Sequence, residues 1–256
     1  MTACRASGRP FFLLALDEAT DEATTQEAGV DHAWVRIGAI GKALETLRAH
    51  GVEELVLAGK VARPKLSSLR PDLKGTRLLA RLGSQFIIGD NELLEALVRF
   101  PRGGRLRVVG AEEVVRDLLA PEGLIGSVYP DKRAQADIEF GARVARAIGA
   151  LDVGQGVIVH NQMVLGVEAV EGTDALIIRC AALRPDDKGG VLIKAKKPQQ
   201  DRRTDLPTIG VAKRLAEYGF AGVAVEAGAS LIVGAPLVAR MADKLGVFVV
   251  GFSVLE

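Results

Sequence analysis

The sequence predicts an α/β fold whose first half is built on a parallel sheet and whose second half is mixed α+β. In the first half, short apolar runs typical of strands alternate with longer helical patterns, which is the rhythm of parallel α/β layers. In the second half, Asn161 and Gln162 separate two apolar runs and form a hairpin signal. A chain of 256 residues, 48% of them hydrophobic, can bury one large core or two small ones.

The elements of the first half follow from apolar patterning. Short apolar runs predict strands, and longer runs with a period of about 3.6 predict helices. The predicted elements are 11–16, 40–50, 54–58, 93–100, 106–109 and 111–119. We assign them to an N-terminal domain over residues 1–120.

Residues 121–132 are predicted to form a linker, because prolines and glycines recur there without an apolar period. A second domain is predicted over 133–256, beginning with an amphipathic helix at 134–148. Its further strands are predicted at 156–160, 164–169, 175–180, 191–195, 222–225, 230–233 and 247–252, and its further helices at 211–218 and 236–245.

Composition excludes several classes of protein. The net charge of +1 and the 4% of aromatic residues argue against binding of nucleic acid. Cys4 and Cys180 stand apart, without the spacing of a zinc site or a disulfide framework, which favours a reducing cytosol. No apolar run approaches the roughly 18–20 residues that span a bilayer. We expect a cytoplasmic protein whose contact with a membrane, if it has one, is peripheral.

The strongest functional signal is the segment 194–210, which holds five cations and two carboxylates between two apolar segments. Lysine and arginine can hold the oxygens of a phosphorylated ligand, and carboxylates can bind a hard divalent metal or activate water. A solvated charged loop explains the charges equally well. Pro198 and Pro207 favour a binding site over a solvated loop, because they stiffen the backbone and a loop that is only solvated needs no fixed geometry.

Three charged residues of the first half are weaker candidates. Lys60 and Arg63 follow an apolar strand, where α/β folds gather ligands, although exposed cations are equally expected there. Asp90 is predicted chiefly to cap a helix that begins near Glu92, and the same carboxylate could contact a ligand.

Several acidic residues of the second half lie in or at the ends of apolar segments: Glu168, Glu171, Asp174, Asp201, Asp205 and Glu226. Glu171 and Asp174 flank Gly172 and Thr173 in a predicted tight turn between two strands. Two interpretations are open. In one, Glu171 and Asp174 point out of the turn as ligands or bases. In the other, the side chains of Thr173 and Asp174 accept hydrogen bonds from the backbone N–H groups of the turn. Glu226 ends an apolar run, where a buried carboxylate would need a cation, a metal or a hydrogen-bond donor.

The motifs of serine hydrolases, P-loop proteins and zinc proteases are missing, and the three histidines lie far apart. What remains is carboxylate, lysine and arginine chemistry. Such chemistry suits a Mg²⁺- or Mn²⁺-assisted attack of water on phosphorus.

Nine motifs carry a resemblance over nearly the whole chain. They are G-K-V-x-R-P at 59–64, L-R-P-D at 69–72, G-D-N-x-L-L at 89–94, L-A-P-x-G at 119–123, D-x-G-Q at 152–155, V-E-A-x-E-G-T-D-A at 167–175, K-x-x-K-P at 194–198, D-L-P-T-I-G at 205–210 and E-A-G at 226–228. In this order the set resembles the UDP-2,3-diacylglucosamine diphosphatases of the LpxI type. E-G-T-D-A and D-L-P-T-I-G are its most specific members.

The resemblance implies a cytosolic enzyme of lipid A synthesis. Such an enzyme hydrolyses the pyrophosphate of UDP-2,3-diacylglucosamine to UMP and 2,3-diacylglucosamine 1-phosphate, using a divalent metal, typically Mg²⁺. The resemblance also implies a homodimer and a Rossmann-like N-terminal domain, linked to a distinctive α/β C-terminal domain with the lipid held between them. The family's essential aspartate falls on Asp205.

The candidate site combines these residues with the charged segment. Asp205, Glu171 and Asp174 are the catalytic candidates, and Asp205, Asp174 and Glu226 are the candidate metal ligands. The candidates for substrate binding are Lys60, Arg63, Asp90, Thr173, Lys194, Lys197, Gln200, Arg203 and Thr208.

One departure from the family concerns the start of the chain. Members usually open with a strand, a Gly-rich turn and a helix before the region that matches residues 8–12, and this chain begins near the end of that helix. We expect the start to be assigned downstream of the true one, with a shortened form as the alternative. A shortened form without catalysis would be a sugar-nucleotide or lipid-phosphate binding protein. A third hypothesis is a nucleotide hydrolase that does not recognise the lipid. Equal turnover of UDP-N-acetylglucosamine and UDP-2,3-diacylglucosamine would support it.

Overall fold

The computed structural model describes residues 1, 4–5, 7–17, 19–58, 71–73, 75–77, 106–115, 118–186, 188–198 and 211–253. The chain divides into two compact units, Met1–Val115 and Arg116–Glu256.

The N-terminal unit holds two pairs of parallel strands among its described residues. Strand β1 pairs with β2, and β3 pairs with β4, both in parallel. The elements in chain order are β1 (Leu13–Leu16), α1 (Glu22–Ala28), β2 (His32–Val35), α2 (Ile40–Ala49), β3 (Glu54–Val56), β4 (Arg107–Val109) and α3 (Ala111–Val114). Parallel pairing agrees with the alternation of strands and helices in the sequence, while a single Rossmann-like sheet stays a prediction. The predicted helix at 93–100 lies outside the described residues.

The C-terminal unit is built on one six-stranded mixed sheet with the order β5-β10-β9-β8-β6-β7. Strands β8, β9 and β10 are parallel, whereas β5, β6 and β7 each run antiparallel to the strand they join. The elements are β5 (Gly123–Leu124), α4 (Lys132–Ala150), β6 (Gly156–His160), β7 (Met163–Val167), α5 (Gly172–Leu183), β8 (Val191–Lys194), α6 (Ala212–Glu217), β9 (Gly222–Glu226), α7 (Ala235–Leu245) and β10 (Phe248–Phe252).

Helices cover both faces of this sheet. Helix α4 packs against one face, which includes Val157 and Ile193, and α5, α6 and α7 pack against the other, which includes Ile158 and Leu192. All positions of β6 and β8 are buried. Because neither face meets water, these strands are apolar at nearly every residue rather than at alternate ones. Polar groups are therefore confined to the strand ends.

The hairpin between β6 and β7 confirms the Asn161-Gln162 turn signal. Both residues adopt the left-handed conformation, with φ of 52° and 57°, which a two-residue hairpin turn requires. Asp137, on α4 and only 2% exposed, accepts hydrogen bonds from the backbone N–H of Asn161 at 3.1 Å and of Gln162 at 2.5 Å. The helix thus fixes the turn through one buried carboxylate.

Two predicted strands are wrong. Residues 175–180 lie inside helix α5, where Leu176, Ile177 and Cys180 form the buried face. A short, continuously apolar run fits a buried strand and a buried helix alike, and its period does not separate them. Residues 230–233 form no strand either, since only Leu231 pairs, in an isolated bridge with Leu119.

The segment 121–132 carries regular structure. Gly123 and Leu124 form β5, which pairs with the edge of β10. Asp131 then caps α4 by accepting a hydrogen bond from the N–H of Ala134 at 2.8 Å. These residues thus contribute to the C-terminal sheet and to the start of its first helix. The domain limits at 120 and 133 stay a prediction.

We predict that Asp137→Ala lowers the free energy of unfolding by about 1.5 to 3 kcal/mol, the usual contribution of hydrogen bonds to a charged group. Urea denaturation followed by circular dichroism measures the change. Glu139→Ala is the matched control, because this exposed carboxylate lies on the same helix and contacts only Gln135, at 3.4 Å, among the described residues. Equal midpoints for the two variants would contradict the role of Asp137.

Candidate functional site

The carboxyl ends of the parallel strands bring several polar residues to one end of the C-terminal sheet. Lys194 ends β8 and Glu226 ends β9. Gly156, at the start of β6, is paired in register with Lys194, and Glu168 directly follows the end of β7. We call this end, formed by 154–156, Glu168, 194–197 and Glu226, the carboxyl edge. In α/β sheets ligands bind outside the carboxyl ends of parallel strands.

A buried ion pair lies at the centre of the carboxyl edge. Lys194 is 4% exposed and Glu168 is 7% exposed. Nζ of Lys194 lies 2.8 Å from Oγ1 of Thr173 and 3.5 Å from Oε2 of Glu168. Thr173 Oγ1 in turn lies 2.6 Å from Oε1 of Glu168. The three side chains form a closed polar cluster, which we call the Lys194 cluster.

The chemistry of the three groups fixes the direction of the hydrogen bonds. An ammonium group only donates, so the Thr173 hydroxyl oxygen accepts from Lys194. The hydroxyl hydrogen is then free to go to the Glu168 carboxylate, which only accepts. Thr173 reaches this position from the first turn of α5, directly after Gly172, whose φ of 80° suits glycine. Thr173 therefore links the two charges.

Close backbone approach around Glu168 requires two glycines. A Cβ added at Gly156 would lie 2.4 Å from Oε2 of Glu168, and one added at Gly154 would lie 1.8 Å from its backbone oxygen. Any larger residue would displace the carboxylate or its strand. Gly154 of the D-x-G-Q motif and Gly156, directly after the motif, thus shape the space beside the Lys194 cluster.

Three buried side-chain oxygens lack a hydrogen-bond partner in the part of the chain that the structure describes. They are Oε1 of Gln155, Oε2 of Glu168 and Oγ of Ser230. Gln155 immediately precedes β6, and Ser230 follows β9, with its backbone N–H bonded to the carbonyl of Glu226. Gln155 and Glu168 belong to the carboxyl edge, and Ser230 lies four residues after Glu226. Because buried polar groups are normally paired, these oxygens indicate a place for a hydrogen-bond donor or a cation.

Glu226 lies at the same edge, as the sequence predicted for the end of β9. Its Oε2 accepts a hydrogen bond from the backbone N–H of Lys196 at 2.9 Å. This contact ties the end of β9 to the segment that leaves β8. A half-buried carboxylate held by a backbone amide is a suitable oxygen ligand for a hard cation.

Glu171 belongs to an ion pair at the start of α5. It accepts from the Arg179 guanidinium at 2.7 Å and from the backbone N–H of Ala169 at 3.1 Å. The hydrogen bond from Arg179, above all, holds the pKa of the Glu171 carboxyl below its usual range. A carboxylate with a lowered pKa is a weak base, so this geometry disfavours proton abstraction by Glu171.

The two other predicted residues of this unit also have partners. Asp174 forms an ion pair with Arg214, whose Nε lies 3.1 Å from the Asp174 carboxylate, and its side chain is largely exposed. Lys197 donates to Asp152 at 2.8 Å. Exposed pairs of this kind are weak and are readily exchanged for a ligand.

Seven of the predicted site residues lie outside the described residues. They are Lys60, Arg63, Asp90, Gln200, Arg203, Asp205 and Thr208. Along the chain, the last four follow Pro198, four residues after Lys194, and precede Val211. Their assignments stay predictions.

Over the described part of the chain, no group of three or more His, Cys, Asp or Glu side chains could hold a metal ion by itself. Within the same residues, no helix is long and apolar enough to cross a membrane.

Sequence reasoning missed the central carboxylate. Glu168 stood among several acidic residues at strand ends, and its pairing with Lys194 joins residues 26 positions apart, which spacing does not reveal. One signal was available. A glutamate directly after an apolar strand needs a cation, and Lys194 was the cation at the end of another apolar strand.

We predict that an NMR titration of the Glu171 carboxyl carbon gives a pKa below the usual glutamate range, and that Arg179→Gln raises it. A lowered pKa in the folded state means that this interaction stabilises the fold above the unfolded-state pKa and is lost as the pH falls through the folded-state pKa. Arg240→Gln, which removes an exposed cation from α7, is the control and should leave the titration unchanged. A wild-type pKa at or above the usual range would contradict the assignment and restore Glu171 as a base.

Comparison with known proteins assigns the family. The sequence model of the LpxI N-terminal domain matches residues 1–118, and that of the LpxI C-terminal domain matches residues 121–250. The UDP-2,3-diacylglucosamine pyrophosphatase LpxI of Caulobacter vibrioides is 42% identical over 262 residues, which cover 99% of this chain and 92% of that protein. The two domain models and this identity over nearly the full length agree with the motifs and their order, and the chain belongs to the LpxI family.

Proposed function

We propose that this chain hydrolyses the pyrophosphate bond of UDP-2,3-diacylglucosamine in lipid A biosynthesis. The products are UMP and 2,3-diacylglucosamine 1-phosphate, known as lipid X. The observation that carries the proposal is the 42% identity, over 99% of the chain, to a pyrophosphatase with that substrate in its name. The reaction is phosphoric anhydride hydrolysis in the cytoplasm.

The carboxyl edge supports a pyrophosphate ligand. Lys194 places an ammonium group at the end of β8, where a parallel strand meets the ligand side of the sheet. Charge builds up on the phosphate oxygens during hydrolysis, and a cation fixed in a poorly hydrated place stabilises it more than a cation in water does. Lys197 and Arg203, on the same connection, add positive charge to this role, and Gln200 and Thr208 add hydrogen-bond donors.

We assign Mg²⁺ or Mn²⁺ to this reaction. Glu226 fits such an ion, because its carboxylate is held by the N–H of Lys196 and ends a strand at the carboxyl edge. Asp205 would complete the ligand set, and Asp174 would have to leave Arg214 to join it. When bound, the metal would neutralise phosphate charge and make a bound water more acidic.

The remaining assignments follow from the contacts of Thr173 and Glu171 and, for the residues outside the described part of the chain, from the family resemblance. Asp205 orients the attacking water, as the family's essential aspartate. Thr173 supports substrate binding through Lys194, whose ammonium its hydroxyl oxygen holds. Glu171 supports the start of α5 through Arg179 rather than moving a proton. In the N-terminal unit, Lys60, Arg63 and Asp90 stay candidates for substrate binding.

A homodimer and contact with the surface of the inner membrane belong to the same proposal. Two fully or largely exposed apolar residues support membrane contact: Val170, at 102% exposure, and Leu151, at 77%. Val170 follows Glu168 and Leu151 follows α4, so both turns lie at the end of the sheet that holds the carboxyl edge. Sedimentation would reveal a monomer if the dimer is wrong, and flotation with anionic vesicles would fail if membrane contact is wrong.

We predict that Mg²⁺-dependent release of UMP from UDP-2,3-diacylglucosamine falls at least about 100-fold in Asp205→Asn, the loss expected when a group that acts on the reacting atoms is removed. Asp186→Asn is the control, since Asp186 pairs with His160 at the opposite end of β6 and should leave turnover unchanged. Undiminished turnover in Asp205→Asn would refute the role of Asp205. Equal turnover of UDP-N-acetylglucosamine by the wild type would show that the acyl chains are not recognised.

A further inference from the structure

We propose that Glu168 is a positioning residue for the hydrolysis. Acting through Thr173 and directly on Lys194, it holds the lysine ammonium at the carboxyl edge with one N–H directed to a phosphate oxygen of the substrate. The inference rests on the proposed function, because it assigns the ligand of Lys194 to a pyrophosphate.

Burial makes Lys194 dependent on Glu168. A charged group that has left water costs several kcal/mol unless an opposite charge and hydrogen bonds replace the water. Nζ of Lys194 contacts Glu168 at 3.5 Å and Thr173 at 2.8 Å, and both side chains of the pair are almost fully buried. Each charge therefore keeps the other in place.

Among the described residues, no other carboxylate neutralises the charge of Lys194. The two acidic residues nearest along α5 have their own cations, since Glu171 pairs with Arg179 and Asp174 pairs with Arg214. Glu226 accepts from a backbone amide instead. Within the described residues, Lys194 has Glu168 as its counter-ion.

The Lys194 ammonium has one N–H donor left for the substrate. An ammonium group has three N–H donors, and Thr173 takes one while the Glu168 carboxylate faces a second. Among the described residues, the third N–H has no protein acceptor. A phosphate oxygen is the acceptor that fits a lysine ammonium at this place.

The surrounding backbone keeps this geometry rigid. Gly156 leaves space for Oε2 of Glu168, where any Cβ would come within 2.4 Å. The N–H of Glu168 donates to the carbonyl of Gly156 at 2.8 Å, which fixes the residue at the end of the hairpin. The carboxylate therefore has little freedom to follow a substrate and acts by holding Lys194.

The test is a double-mutant cycle of Glu168→Gln and Lys194→Met, with kcat and KM measured for UMP release. We expect Glu168→Gln to lower kcat/KM about 10- to 100-fold, as for residues that orient a binding group, and Lys194→Met to lower it about 100- to 1,000-fold. Because Glu168 acts through Lys194, the double variant should be no more than about 3-fold worse than Lys194→Met alone.

Thermal unfolding separates this role from general support of the fold. Lys194→Met leaves a buried carboxylate without its cation, so Glu168→Gln added to it should raise the melting temperature. A second pair of variants keeps both charges. Thr173→Ser should retain activity within about 3-fold, whereas Thr173→Val, which has similar volume and no hydroxyl, should lose activity about as Glu168→Gln does.

The outcomes distinguish the inference from the proposed function. Wild-type protein that releases no UMP would overturn the proposed function and this role with it. Active wild-type protein with an undiminished Glu168→Gln variant would overturn the positioning role alone. The same fold-loss from Glu168→Gln in the Lys194→Met background as in the wild type would also overturn it. Equal activities of Thr173→Ser and Thr173→Val would show that the hydroxyl link plays no part.

Discussion

The mutual dependence of two buried charges, Lys194 and Glu168, is the constraint around which the C-terminal unit is arranged. Neither side chain tolerates burial alone, so the ends of β7 and β8 must lie where the charges meet. The register of β6, which lies between these strands, sets that meeting point. The start of α5 must also deliver Thr173 between the charges. The strand register, the position of α5 and two glycines together bring the side chains of the Lys194 cluster into contact.

The location of the cluster follows from how the sheet is covered. With helices on both faces, water reaches neither side of β6, β8 or β9, and apolar residues fill their lengths. Polar chemistry is possible only where the strands end. Since β8, β9 and β10 are parallel, their carboxyl ends collect at one edge, and the residues that follow them inherit that position. The sheet thereby brings Lys194 and Glu226 together from distant parts of the sequence.

Sequence patterns predicted the local features well and the pairings poorly. The β6–β7 hairpin was predictable because two residues with a turn preference separate two apolar runs. The end of β8 was predictable because the charged segment that begins at Lys194 follows an apolar run. Helix α5 was predicted as a strand, since residues 175–180 are apolar without a decisive period. Glu168 was missed because its importance comes from Lys194, a partner that only the three-dimensional fold supplies.

The central claim is that the phosphates of the substrate bind at the carboxyl edge, against Lys194. A crystal structure of the chain with UMP and Mg²⁺ tests this most directly. The account predicts a phosphate oxygen within about 2.7–3.2 Å of Nζ of Lys194, with Thr173 and Glu168 still bonded behind it. A UMP phosphate bound elsewhere, with Lys194 contacting only Thr173 and Glu168, would contradict the account.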